Sequence, residues 1–445
     1  MKHILLSVLG VAALTAALWA DPPARVGRLS YVDGVVSFTS AVGQALETAT
    51  LNYPLTTGNQ LSTAAGARAE VQIGSAAVRL APDTGVTFET IDDQAVQIRL
   101  DKGVISVSLH RLGKDQSFQV DTQTAGISLA APGRYRIDQM QSGEATIVTR
   151  SGDAEVTGGQ AAFHVFSGQS ADIPGSGPEA NQISSAPAPD AWDSWVADRD
   201  SRMSGRTSTR YASSEMDGVQ DLDDYGHWTV VAGYGPLWIP QAVPIGWAPY
   251  TFGQWVWVAP WGWTWVDDEP WGFAPFHYGR WVLYTGAWCW VPGPIVVRPV
   301  YAPALVRWVG GPPPRGIAPS RAHVTWVPLQ PRQVFRPPYH ASATYLRAVN
   351  GGVVYRPRAP FRPSFTTGTF ARPVSPDRGY MPARPMQPVL PRQDARPLFV
   401  PHRNPQWAGQ PPQPAYAGPE ADHGRRWPPP AYGDQDPWLL KRPGR

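Results

Sequence analysis

A single cysteine, Cys289, stands in a chain of 445 residues, so no intramolecular disulfide can form. It lies far from the N-terminus and is no lipid-attachment cysteine. Flanked by two tryptophans in an expected strand, it is also a poor site for a nucleophile. The nine histidines, His3, His110, His164, His227, His277, His323, His340, His402 and His423, are scattered, with no His-Glu-x-x-His or comparable metal spacing. Gly233-Tyr-Gly235 runs into Pro-Leu-Trp and forms no dinucleotide fingerprint, and neither a phosphate loop nor a Gly-x-Ser-x-Gly elbow occurs. No catalytic residue, metal or cofactor is therefore expected, and the protein reads as a non-enzyme. After the first twenty residues no run is long and apolar enough to span a bilayer.

Those first twenty, Met1-Lys-His-Ile-Leu to Leu18-Trp-Ala20, have a short basic start, an apolar stretch and a small residue before Asp21, the layout of a secretory signal peptide. The expectation is a periplasmic or secreted protein of the bacterial cell envelope, with no stable transmembrane segment after processing. Proline and glycine, 49 and 43 residues, are plentiful and favour short strands and tight turns over long helices. The formal charge of +3 hides a split: residues 351–445 hold fourteen Lys and Arg against six Asp and Glu, leaving the remainder at −5.

Residues 26–173 alternate with period two, as in Glu70-Val-Gln-Ile73, Val96-Gln-Ile-Arg-Leu100, Ile105-Ser-Val-Ser-Leu109 and Phe118-Gln-Val-Asp-Thr122, with glycines such as Gly74, Gly103 and Gly152 supplying turns. An all-β sandwich or stack of antiparallel hairpins is expected. The order of Gly34-Val-Val-Ser-Phe38, Leu55 to Thr63, Ala69-Glu-Val-Gln-Ile73, Val78-Arg-Leu-Ala-Pro-Asp-Thr84 and Leu100-Asp-Lys-Gly-Val-Ile-Ser-Val107 resembles the periplasmic domain of the FecR family of signalling regulators. The resemblance implies a β domain and a place in cell-surface signalling. Regulators of that family carry a sigma-factor-binding segment and a membrane helix before this domain, where only the signal-like stretch stands here. Their Gly-Thr-x-Phe is replaced by Ala131-Pro-Gly-Arg-Tyr-Arg-Ile137.

Residues 174–224 read as a linker, Gly/Pro/Ser-rich at first, with a short helix over about 190–203 capped by Asp190 and presenting Trp192, Trp195 and Val196 as a docking peg. A Trp-rich β-repeat domain is expected over 225–350. Ile245-Gly-Trp-Ala-Pro-Tyr-Thr-Phe-Gly-Gln-Trp-Val256 recurs 26 residues later as Trp271-Gly-Phe-Ala-Pro-Phe-His-Tyr-Gly-Arg-Trp-Val282, and Tyr225-Gly-His-Trp228 is a fainter copy. In each, a glycine stands two residues before a tryptophan. Paired strands joined by Ala259-Pro-Trp-Gly262 would place Trp255, Trp257, Trp263 and Trp265 on one face and Val256, Val258, Thr264 and Val266 on the other. Four free indoles would expose roughly 600–1,000 Å², more than an ordinary monomer leaves uncovered, so most must be covered. Trp247, Trp255, Trp257, Trp263, Trp265, Trp271 and Trp281 are the candidate binding residues. Asp267-Asp-Glu269 reads as a solvated turn, and Asp221-Leu-Asp-Asp-Tyr-Gly226 begins like a calcium loop but places Tyr225 at a ligand position. With Thr325-Trp-Val-Pro-Leu329 and Phe335-Arg-Pro-Pro-Tyr339, the stretch 190–350 resembles an uncharacterised Trp-rich envelope family found behind FecR-like domains, which implies no established activity.

Residues 351–445, with 21 prolines, are expected to form a disordered basic tail. Such a chain would bind or scaffold, its aromatic repeats meeting an envelope protein or a polysaccharide. Its tail would attract acidic polymers, with no specific nucleic acid as target. The alternatives are a FecR-like signalling component and a peptidoglycan- or polysaccharide-binding module.

Overall fold

The period-two runs of the first region fold as strands, and alternation decides which side chains meet. In Ala125–Leu129 and Gly133–Gln139 every second residue is buried. Of these, Ala125, Ile127, Leu129, Tyr135 and Ile137 join Ile98, Val120, Ile147, Val156 and others in one mostly aliphatic cluster between two ladders. The computed structural model describes residues 20–40, 44–158, 162–175, 181–322 and 324–351. The expected signal peptide and basic tail lie outside them, apart from Ala20 and Gly351. The fold is all-β.

The two ladders share one strand. Ala95–Leu109 pairs through its first half with Gly85–Ile91 and through its second with Ala76–Leu80 and Gly133–Gln139. Two strands separated by a turn at Gly103 were expected. Instead Gly103, at φ +90°, bends one continuous strand from ladder to ladder, where a Cβ would lie 2.6 Å from Thr84 Cα. The antiparallel expectation also needs correction, because Ser117–Asp121 runs parallel to the first half of that strand. Its second half and residues 110–116 together form the crossover that parallel pairing requires.

Asp190 caps the helix Ala191–Met203 in a reciprocal capping box with Asp193. The helix docks on the outer face of one ladder. The Trp192 indole donates to Ser106 Oγ at 2.8 Å, Arg68 lies over the Trp195 ring, and Arg199 reaches buried Glu70 at 2.7 Å. Burial would raise the Glu70 carboxyl, but the Arg79 and Arg199 guanidiniums outweigh it and hold it at about 2. Two parts of the expected linker are structured. Gln182–Ser185 adds an edge strand to Gln169–Ile173 although all four residues are exposed, since backbone pairing needs no apolar side chain. Ala212, Met216, Val219 and Leu222 are buried in the core of the aromatic region.

Four tryptophan hairpins follow among the described residues: Gly226–Val231 with Gly235–Pro240, Gly253–Val258 with Gly262–Asp267, Arg280–Tyr284 with Ala287–Val291, and Val306–Val309 with Thr325–Pro328. The first and third join edge to edge through Trp238 and Trp290 into a four-stranded sheet. The second and fourth are separate ribbons. The fourth has no place in the 26-residue repeat, because residues 310–324 separate its strands.

Candidate functional site

The repeated Gly-x-Trp builds a slot for an indole. A Cβ at Gly226, Gly253 or Gly279 would come within 2.4 Å of Trp238 Cε2, 2.7 Å of Trp265 Cζ2 or 2.6 Å of Trp290 Nε1, each on the facing strand. Each of these buried tryptophans then finds an acceptor for its N–H at 2.9 Å: the Leu222 carbonyl, Asp267 Oδ2 and the Tyr278 carbonyl, respectively. Equivalent positions of the two close copies also touch. The Tyr250 hydroxyl donates to the Phe276 carbonyl at 2.8 Å, and their rings meet edge to face at 4.8 Å.

The candidate tryptophans therefore separate by access. Trp247, Trp265, Trp271 and Trp281 are buried at 8%, 2%, 1% and 1% exposure, so their rings offer a ligand no open face. Trp271 packs on Trp238 of the first hairpin and on Trp247, Trp247 packs on Trp281 of the third, and Trp265 packs on Tyr250 and on Trp326 of the fourth. The second hairpin pairs Trp255 with Trp265 and Trp257 with Trp263, which puts the four tryptophans on one face as expected, while Gly262 pairs with Val258 and so belongs to the strand and not to the connection. Its base is closed: Trp255 packs on Trp308 at 4.7 Å and on Trp326 at 5.3 Å. Its tip is open. Trp257 is 37% exposed, and half-buried Trp263 stands edge to face with it at 5.4 Å. The Trp263 indole donates to the Pro313 carbonyl at 2.9 Å, and the Arg315 guanidinium lies 5.7 Å from the Trp257 ring centre. A cavity of about 190 Å³ opens there, lined by Trp257, Trp263, Trp308, Pro313, Pro338 and Tyr339 among others. Pro313 and Arg315 were not singled out from the sequence, and Tyr339 entered only as the end of the motif Phe335-Arg-Pro-Pro-Tyr339. The glycine-bracketed run Gly310-Gly-Pro-Pro-Pro-Arg-Gly316 was the available signal.

The acidic segments tie the two regions together. Buried Arg28 donates to Asn52 Oδ1 at 3.0 Å, Gln72 Oε1 at 3.1 Å and the Pro270 carbonyl at 2.7 Å, and pairs with Asp221. Asn52 in turn donates to the carbonyls of Asp267 and Glu269 at 3.0 and 2.7 Å. Asp267 is thus not solvated: it is buried, and burial lifts its carboxyl well above the usual range. Buried Asp217 accepts from the Gly74 amide at 2.7 Å, and burial pushes it up to about 8. Cys289 packs with Leu237 and Val282 on the aliphatic side of the four-stranded sheet, where burial pushes its thiol up. His277 is buried, which lowers it to about 3, with Nδ1 2.8 Å from the Ala302 carbonyl. Among the described residues no group of three or more His, Cys, Asp or Glu could hold a metal ion, and no helix is long and apolar enough to cross a membrane.

Residues 219–333, which contain all four hairpins, match the model of a "Family of unknown function (DUF6600)". No curated protein matches the chain. Two solved structures, both described as "a putative anti-sigma factor from Parabacteroides distasonis ATCC 8503", are similar to part of it, each at 14% identity. One match covers 29% of this chain and 60% of the other with a TM-score of 0.26; the second covers 31% and 64% with 0.28. The chain therefore spans less than two thirds of either.

Proposed function

We propose that this is an exported, non-enzymatic protein of the bacterial envelope that binds or scaffolds through the tip of its second tryptophan hairpin. Residues 26–173, with their FecR-like order of motifs, serve as the platform, and Arg28 holds the aromatic region on it. The observation that carries the reading is the open pair Trp257 and Trp263 in a region where most other indoles are closed in. An indole face beside an arginine offers flat apolar area, an N–H donor and a cation, which suits a protein or a polymer ligand and offers no nucleophile or general base. Export is supported by the signal-like residues 1–20.

The test is tryptophan quenching and hydrogen exchange of the full chain, with and without envelope polysaccharides and envelope protein extract. Ligand should protect the second hairpin, and Trp257→Ala should remove both the protection and the binding. Indoles that answer to no ligand would sink this reading.

A further inference from the structure

Between the strands of the fourth hairpin, Gly310, Gly311 and Gly316, at φ +89°, +96° and +91°, bracket Pro312, Pro313, Pro314 and Arg315. Proline sets φ near −65° and biases the residue before it to extended backbone, so consecutive prolines form an extended rod without donors. This rod is seated on the second hairpin. Pro313 is buried while Pro312 and Pro314 are exposed. The Pro313 carbonyl accepts from the Trp263 indole at 2.9 Å, and Arg315 caps the Trp257 ring. A buried proline in an aromatic-lined cleft, a carbonyl held by an indole N–H and a cation on the neighbouring ring are the contacts by which aromatic grooves hold polyproline II ligands. The cavity of about 190 Å³ extends the groove past this segment toward Trp308, Pro338 and Tyr339.

We infer that the Trp257–Trp263 tip binds proline-rich, arginine-flanked peptide segments in the polyproline II conformation, and that Pro312–Arg315 is its resident ligand in cis. The inference rests on the reading of this tip as a binding surface and names its ligand class. Glycines at both ends let the segment leave without disturbing the ladder of Val306–Val309 with Thr325–Pro328. A tethered ligand acts at high effective concentration, so a peptide in trans must displace it and meets a partly masked site in the native chain.

The experiment titrates a fluorescein-labelled peptide of sequence Gly-Pro-Pro-Pro-Arg-Gly with the full chain, read by anisotropy. The double variant P313G/R315A, with its cis ligand weakened, should bind about 10-fold more tightly than the native chain. Adding Trp263→Phe, which keeps a ring but removes the donor, should weaken binding about 5-fold. A peptide with alanine in place of proline should not bind. In the native chain, excess proline peptide carrying a nitroxide spin label should broaden the Trp263 indole N–H resonance, a readout that needs no variant and is therefore independent of any loss of folding. Equal binding of the alanine peptide, no gain in the double variant, or an unbroadened Trp263 resonance at saturating labelled peptide would overturn the inference. If the peptide fails while an envelope polysaccharide binds in a Trp257-dependent way, this inference falls and the broader binding reading stands; if nothing binds through Trp257, both fall.

Discussion

Residues 29–173 close around aliphatic side chains such as Leu29, Ile98, Val120 and Ile147, whereas the aromatic region closes around Trp238, Trp265, Trp271, Trp281 and Trp290. An aliphatic core is indifferent to direction, and alternation along each strand is enough to bring it together. An indole brings a donor that needs an acceptor, and Trp238, Trp265 and Trp290 each find one and also need a glycine beneath the ring. The first region should therefore tolerate exchange of one apolar side chain for another, while the second should react to the loss of single atoms.

The largest effect tests whether the two cores behave as one. Arg28→Ala strips Asp221, Asn52, Gln72 and the Pro270 carbonyl of a shared buried partner. Removal of one side of a buried charge network costs about 3–5 kcal/mol. Urea unfolding should then split into two transitions, followed by near-UV circular dichroism for the indoles and far-UV for the strands. A single transition of unchanged midpoint would show that the cores are coupled elsewhere. Next, Trp265→Ala should cost about 3–5 kcal/mol and Ile127→Val about 0.5–1.5 kcal/mol by equilibrium denaturation. Similar costs would erase the contrast between the cores.

Glycines sharpen it further. Gly279 and Gly58 both have positive φ, but a Cβ at Gly279 strikes Val291 O and the Trp290 indole while one at Gly58 meets nothing within 4 Å. Gly279→Ala should thus cost about 1–3 kcal/mol more than Gly58→Ala, the overpacking part alone. Thermal midpoints of the two variants measure the difference.

Acidity separates the regions by sign. Asp217 is raised to about 8 from 3.8, so the folded chain keeps a proton that the unfolded chain has released. Its contribution is complete below the unfolded value and is lost as pH rises through the folded one, so stability falls from about pH 4 to pH 8. Glu70 works in reverse: lowered from 4.5 to about 2, it stabilises above 4.5 and loses that contribution as pH falls through 2. Asp217→Asn should flatten the fall of the thermal midpoint between about pH 4 and pH 8 and leave the acid limb, to which Glu70 contributes, in place. The smallest effect on stability belongs to Trp257→Ala. With Trp257 37% exposed, its loss should cost less than that of buried Trp265 while binding at the tip disappears.

Most strands of the first region were legible because burial on one side imposes period two on the sequence. The crossing of Ala95–Leu109 between ladders was not, since a glycine at positive φ reads alike in a turn and in a bend. The second hairpin, the common face of its four tryptophans and the aliphatic setting of Cys289 were legible for the same periodic reason, whereas the register that sets Trp255 against Trp265 was not. Which tryptophans stay accessible was not. Pairing within a hairpin is local, but cover for Trp265 and Trp255 comes from Trp308 and Trp326, more than forty residues away in the chain.

From the sequence alone came the all-β class, the capped helix, the 26-residue repeat and the separation of indole and aliphatic sides, all consequences of neighbours along the chain. Tertiary structure alone decided that the first and third hairpins share a sheet, that Arg28 joins the two cores, that Asp217 and Asp267 lie buried, and that Trp257 and Trp263 remain at an open tip with Pro313 upon them. Those outcomes depend on which distant surfaces exclude water from one another, and no local pattern encodes that.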